Sequence, residues 1–322
     1  MSSSTHHSIV IVGAGIIGSS LALELRRRGA DVVLIDRGQA LAQASTAAAG
    51  MLAADDPHNP PALHPFATLS ASLYPEFLQR LAALTGLEVP FQTLSTIQYT
   101  ATGDACQLDE RSLDPRQLAA ALRAALPLAG VTLREYADTL DLAPTATLIH
   151  TTGAWFDSPL APAVTPRKGQ MLRVQLPPAL HGLDQVHRSE HVYIVPRLFG
   201  PQAGTALIGA TVEDAGFDTT VGAEALATLR SSAAALLPEL GNESTARMLE
   251  AWAGLRPATA DELPILGRLQ DKANQFVATG HYRNGILLAP ATATLMADLV
   301  QGKPLPPWLT TFAPDRFALA ER

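Results

Sequence analysis

Glycines at 13, 15 and 18 follow the apolar, β-branched run Ile9-Val10-Ile11-Val12, and an aspartate closes the next such run, Val32-Val33-Leu34-Ile35-Asp36. The chemistry this spacing can do is phosphate and sugar binding. In a strand–turn–helix unit Gly13 makes the tight turn, Gly15 lets a pyrophosphate approach the backbone, and Gly18 lets helix and strand pack closely. The helix, compatible with the sequence through Leu25 and ended by Gly29, offers free N–H groups and the positive end of its dipole to the phosphates. Asp36 stands where a carboxylate accepts both hydroxyls of an adenosine ribose. The whole unit points to a bound dinucleotide. The rival reading is a glycine-rich turn in an α/β fold that binds something else.

Two further strands run into glycine turns. Thr147 to His150 leads into Thr151-Thr152-Gly153-Ala154-Trp155, and Gln275 to Thr279 into Gly280-His281-Tyr282-Arg283-Asn284-Gly285, followed by a helix over Ala289 to Val300. A repeated strand-to-glycine turn suggests a second backbone approach to the same ligand; the plain alternative for the late turn is a structural hairpin. Ala44 to Ala53 is a run of small residues. It suits a buried helix, or an extended path against which something flat can lie.

The elements that must position these groups are legible from periodicity. Leu69, Leu73, Phe77, Leu81 and Leu84 mark one face of a helix stopped by Gly86, and Asp114-Pro115 opens another that carries Leu118, Leu122 and Leu126. Phe91 to Thr100 and Gly130 to Arg134 read as strands. From Pro166 the pattern changes to short strands, Gln170 to Leu176, His191 to Val195 and Thr205 to Thr211, expected to form an antiparallel sheet. A helix over Ala223 to Leu237 precedes the return to the first layer. Within His191 to Val195, Tyr193 shares a face with His191 and Val195, opposite Val192 and Ile194.

The bulk numbers exclude some classes. The 322 residues suffice for one large or two interleaved domains, and no apolar run reaches spanning length, so a soluble protein with no membrane partner is expected. A net charge of −7 argues against nucleic acid as the main partner. The single cysteine, Cys106, cannot form an internal disulfide, which fits the cytoplasm. Met1 to Ser8 is polar and unlike a signal peptide, with His6 and His7 on a solvated tail. The sparse His, Cys, Asp and Glu pattern shows no metal-ligand spacing.

Several stretches together resemble the flavin-dependent D-amino-acid oxidase and glycine oxidase superfamily, with the closest look to the glycine oxidases of thiamine biosynthesis. The resemblance runs from the Gly13 to Gly18 turn and Ala48-Ala49-Gly50-Met51-Leu52 through Thr152 to Trp155 and Lys168-Gly169-Gln170. It continues in Tyr193 to Arg197, Ile208 to Thr211, Ala253 to Pro257, Gly280 to Pro290 and Phe312 to Phe317. Thr100 to Asp109 and Tyr136 to Ala146 look abbreviated against relatives.

The resemblance implies an α/β (α+β overall) fold: a Rossmann-like FAD-binding domain of the glutathione-reductase type, interleaved with an antiparallel-sheet substrate domain. The expected boundaries are 1–86, 109–165 and 253–322 for the FAD-binding domain and 87–108 and 166–252 for the substrate domain. Non-covalent FAD is implied on Gly13, Gly15, Gly18, Asp36, Arg37, Ala48, Ala49, Gly50, Met51 and Gly153, and on Gly280, His281, Arg283, Asn284, Gly285 and Ile286. A helix dipole at the late turn would stabilise the negative charge of a reduced flavin. The substrate implied is a small amino acid, glycine first, then sarcosine and small D-amino acids. Dioxygen is the implied acceptor, giving imine or oxoacid, ammonia and hydrogen peroxide. Thiazole synthase is an implied partner, and a homo-oligomer is compatible.

A carboxylate wants a planar, bidentate partner, which arginine supplies better than lysine. The resemblance gives that role to Arg256; its rival is an ion pair with Asp261 or Glu262. Tyr193 is placed beside the same carboxylate, against the alternative of a core tyrosine, and Arg283 near substrate or flavin, against bracing its turn. These three are the expected catalytic set. His191 and His281 are not assigned as bases, because hydride transfer from a neutral amine needs none, and Cys106 is read as an inert thiol. Other readings are an NAD-dependent dehydrogenase, a degenerate non-catalytic flavoprotein, and an oxidase of a substituted amine on transfer RNA, which the acidic balance opposes.

Overall fold

The computed structural model describes residues 9–137, 146–156, 163–270 and 272–317. The readings on Met1 to Ser8, and on 138–145 within the abbreviated segment, lie outside the described residues. The molecule is built on two sheets. The first has strand order Ile265–Arg268, Gln275–Thr279, Thr147–His150, Ile9–Val12, Val32–Ile35, Thr132–Arg134. All its neighbours are parallel except the edge strand Ile265–Arg268. Strands buried on both faces read as unbroken apolar runs, which is why Ile9–Val12 and Val32–Ile35 are so uniform.

Helices Ile16–Arg27, His64–Thr85, Pro115–Leu128 and Gly285–Val300 form the main core with this sheet. Leu21, Leu25, Leu118 and Leu122 are fully buried there, each worth about 1.5–3 kcal/mol. Asp114 caps its helix by accepting from the Arg116 amide at 2.9 Å, with Pro115 in the first turn. Gly86 ends His64–Thr85 in the left-handed region at φ 72°. That helix starts before Leu69, and its buried face is rotated by about one residue from the expected stripe. Phe66, Ser70, Tyr74, Phe77, Leu78 and Leu81 point inward while Leu84 is exposed. Polar residues took core positions because they find partners: Tyr74 donates to the Ile286 carbonyl, and Ser70 accepts from the Ala291 amide at 3.1 Å.

The second sheet has order Met248–Ala258, Thr165–Gln175, Thr205–Gly209, Tyr193–Arg197, Val186–Arg188, Thr96–Tyr99, Ala105–Leu108. It is antiparallel except for one pair, Val186–Arg188 with Thr96–Tyr99, which is parallel. Two expected boundaries need correction. Met248–Ala258 pairs with Thr165–Gln175 almost end to end, so the 252/253 boundary cuts a continuous strand and residues 253–258 lie on the second sheet. Phe91 to Thr100 is two strands: Phe91–Thr93 joins Arg111–Leu113 and Met51–Leu52 in a small sheet between the layers, and Thr96–Tyr99 joins the second sheet. Among the described residues no helix is long and apolar enough to cross a membrane.

Candidate active site

The strands Gln275–Thr279, Thr147–His150 and Ile9–Val12 are adjacent and parallel, so the three glycine turns that follow them open on one edge of the sheet. That edge is where open α/β sheets bind ligands. A cavity of about 1040 Å³ lies there, lined from both layers. Of the expected cofactor residues, Gly13, Gly15, Asp36, Arg37, Ala48, Ala49, Gly50, Met51 and Gly153 line it, as do His281, Arg283, Asn284, Gly285 and Ile286. Gly18 and Gly280 do not; they work underneath. A Cβ on Gly18 would lie 2.0 Å from the Gly13 carbonyl oxygen and 2.5 Å from Thr151 Oγ1, and one on Gly280 would lie 2.8 Å from Thr259 Cγ2. Gly13, at φ 103°, packs its Cα against the Thr151 carbonyl, and the Thr151 hydroxyl donates to the Gly13 carbonyl at 2.6 Å. The first two turns are thus locked to each other.

Asp36 accepts from the Ala14 amide at 2.7 Å and the Gly38 amide at 2.8 Å, one bond to each oxygen. Each oxygen keeps a lone pair for a ribose hydroxyl. Ser45, which sequence reasoning passed over, accepts from the Ile16 amide at 2.9 Å and so occupies one of the first N–H groups of that helix. The small-residue run divides in two, and its helical part is a single turn in which only Ser45 is buried. Ala44–Ala47 makes one helical turn, and the chain then turns at Gly50, with φ 87°, into the short strand Met51–Leu52. Second-sheet donors hold it flat: Trp252 Nε1 to the Ala47 carbonyl at 3.0 Å, and Arg197 Nη2 to the Ala49 carbonyl at 2.8 Å.

The opposite wall is made of side chains. Tyr193, Arg256 and Arg283 all reach the cavity. Arg256 lies over Gly169, where a Cβ would be 2.3 Å from its guanidinium, and donates to the Thr211 carbonyl at 3.1 Å. Asp261 instead pairs with Arg316 at 2.8 Å, so the rival partner for Arg256 is engaged elsewhere. Among the described residues no carboxylate stands within ion-pair distance of Arg256 or Arg283, and Arg283 stacks its guanidinium 5.5 Å from the Tyr282 ring centre. Arg256 comes from the second sheet and Arg283 from the third glycine turn, and two cations without a paired acid give the cavity a place that can receive an anion. Burial pushes the Tyr193 phenol up, against the pull of the Arg256 and Arg283 charges, so it stays a donor. Its hydroxyl lies 3.3 Å from Met171 Sδ, over Gly209.

A family model described as FAD dependent oxidoreductase matches residues 8–111 and 101–299. The chain belongs to that family. It is 34% identical over 96% of its length to the bifunctional protein ThiO/ThiG of Trichormus variabilis, and spans about half (55%) of that relative. It is 31% identical to the glycine oxidase of Geobacillus kaustophilus, over 93% of this chain and 94% of the other. The crystal structure of the glycine oxidase from Geobacillus kaustophilus superposes with a TM-score of 0.87, at 29% identity, covering 96% of this chain and 99% of that one.

The site fits FAD on its own features. Gly13 and Gly18 leave no room for a Cβ, Asp36 keeps free lone pairs, and the start of Gly285–Val300, whose first N–H groups have no intrahelical partner, lies at the cavity. His281 is buried, with Nε2 3.1 Å from Thr292 Oγ1, and burial pushes it down to about 3. It carries no charge at physiological pH. His191 lines the cavity at an exposed position, and the exposed Cys106 is not among the lining residues. Among the described residues no group of three His, Cys, Asp or Glu could hold a metal. Sequence reasoning missed Ser45, Arg197 and Arg188. Ser45 and Arg197 lie in stretches already singled out but were given no role; the register of the second sheet brings Arg188 to the cavity, while Arg197 holds the Ala49 carbonyl from behind the lining.

Proposed function

We propose that this FAD-dependent chain is an amino-acid oxidase that deaminates glycine, with sarcosine and small D-amino acids next. The observation that carries the reading is that two guanidiniums with no paired acid among the described residues, Arg256 on the second sheet and Arg283 on the third glycine turn, reach one cavity with the protonated Tyr193 hydroxyl. The first sheet with its helices serves as the cofactor layer and the second sheet as the substrate layer.

Arg256 receives the substrate carboxylate in a planar fork, and Tyr193 donates to one of its oxygens; both hold the α-carbon in one orientation. Gly169 and Gly209 make this arrangement by leaving space for the guanidinium and the phenol. When bound, FAD supplies the two-electron acceptor. The reading needs no side-chain base: burial leaves His281 a weak proton acceptor, and its Nε2 lies 3.1 Å from Thr292 Oγ1. The substrate loses two electrons and two protons to become the imine, water converts this to oxoacid and ammonia, and dioxygen takes up the two electrons and two protons as hydrogen peroxide. The names of the bifunctional relatives support a partner that consumes the imine, a thiazole synthase.

Mixing the purified yellow protein anaerobically with glycine, sarcosine, D-alanine and D-proline tests this. Bleaching of the flavin, fastest with glycine, is expected. A spectrum unchanged by all four would sink the reading.

A further inference from the structure

Tyr193 belongs to a single row of side chains across the cavity face of the second sheet. In direct register, the row is Trp252, Met171, Gly209, Tyr193, Arg188 and Gln98. The gap at Gly209 lets Tyr193 lean towards Met171; a Cβ there would lie 2.7 Å from the phenol oxygen. Arg188 leans the other way, and its Nε donates to Gln98 Oε1 at 2.6 Å. The two neighbours therefore part, and both line the cavity.

Arg188 is only 2% exposed. Its Nη1 stands 2.9 Å from Glu110 Oε2 and 3.5 Å from Asp56 Oδ2. Its Nη2 is buried and has no acceptor among the described residues. A buried guanidinium nitrogen without an acceptor is costly, and a ligand atom that supplies one is selected strongly. The charge is already answered by two carboxylates, so a third would be repelled. What the cluster lacks is an uncharged acceptor.

We propose that the floor beyond Tyr193 is a second substrate subsite. There Arg188 donates to a neutral acceptor on the amino-acid side chain, a carboxamide or a hydroxyl. This rests on the reading that Arg256 holds the α-carboxylate. The enzyme then accepts substituted amino acids beyond glycine, and prefers those whose side chain carries such a group.

D-Asparagine, D-aspartate and D-leucine have the same branching and nearly equal size, so they isolate the chemistry at this position. The FAD-loaded protein is mixed with each without oxygen, and the immediate shift of the flavin spectrum gives Kd before any bleaching. D-Asparagine is expected to bind on the order of tenfold tighter than D-leucine, and D-aspartate no tighter than D-asparagine. Arg188→Met should bring the asparagine-to-leucine ratio to about one. Because that change leaves Glu110 buried without its cation, the double variant Arg188→Met with Glu110→Gln removes both charges and keeps the test if the single one fails to fold.

Equal affinity for D-leucine and D-asparagine in the native protein overturns the subsite. Tighter binding of D-aspartate overturns its neutral character, and an unchanged ratio in the folded double variant overturns the role of Arg188. If the ratio is as expected but no amino acid, glycine included, bleaches the flavin, the oxidase reading falls and the subsite stands. If glycine bleaches it and the ratio is flat, the reverse holds.

Discussion

The two walls of the cavity are made of different material. On the first sheet the ligand meets backbone: three glycine turns at the ends of adjacent parallel strands, locked by contacts such as Thr151 to Gly13. On the second sheet it meets side chains, Arg256, Tyr193 and Arg188, each laid into space that a glycine or a neighbouring strand leaves open. A backbone wall has no slack, because added atoms strike carbonyls that hold the sheet together. A side-chain wall loses one donor at a time. Changes on the first should therefore be all-or-none in cofactor binding, and changes on the second graded in substrate binding.

The largest expected effect is at Gly18. Gly18→Ala puts a methyl 2.0 Å from the Gly13 carbonyl oxygen, and forcing helix and turn apart costs about 3 kcal/mol or more. The purified variant should lack FAD, read from its absorption spectrum. A yellow Gly18→Ala protein with full cofactor content would erase the contrast between the walls. Next comes Arg256→Ala. Losing a charge-assisted partner of the carboxylate costs about 2–5 kcal/mol, which is roughly thirtyfold to several-thousandfold in the glycine concentration needed for flavin reduction. Cofactor content should be that of the native protein. Loss of FAD instead would mean that the side-chain wall also builds the cofactor site.

The same division explains what was legible in the sequence. Backbone sites leave glycines, and glycines between apolar runs are visible at once, so Gly13, Gly15, Gly153 and the Gly285 turn all come to the cavity. The sequence also distinguished the faces at Tyr193, where Val195 shares its cluster and Val192 and Ile194 pack on the opposite side. Side-chain sites depend on which strands are neighbours. Arg188 meets Tyr193 only because Val186–Arg188 pairs with Tyr193–Arg197, and Asp56 and Glu110 arrive from other elements. Local periodicity carries no record of that pairing. The helix His64–Thr85 failed more simply: Tyr74 and Ser70 are buried through hydrogen bonds to the distant Gly285–Val300 helix, which a count of apolar residues cannot see.

A third test asks whether His281 belongs to the backbone wall as packing. Burial pushes its imidazole down to about 3 from an ordinary 6.5. The unfolded chain thus takes up the proton first as pH falls. The stabilisation is fully present above about pH 6.5 and declines towards pH 3, by up to ~1.4 kcal/mol per pH unit. Urea unfolding at ~pH 7 and ~pH 5 should show about 2 kcal/mol of loss assignable to this residue. His281→Gln, which can still reach Thr292, should lack that part of the loss. An identical pH dependence in the two proteins would place a titrating histidine beside the cofactor turns.

The smallest expected effect is the most discriminating for the side-chain wall. Tyr193→Phe removes one oxygen and leaves the ring over Gly209, so packing is unchanged and only the donor is lost. Burial keeps that phenol protonated, and Arg256 stands beside it. Loss of one such bond costs about 1 kcal/mol, roughly fivefold in affinity for a carboxylate. The arginine supplies the charge in either case. The ratio of glycine Kd values for the native protein and its Tyr193→Phe variant, read from the flavin spectrum, measures the donor directly. A fivefold weakening with unaltered FAD content fits a wall that loses donors singly. No change at all would leave the arginines as the whole carboxylate receptor and make Tyr193 the core tyrosine its strand position also allows.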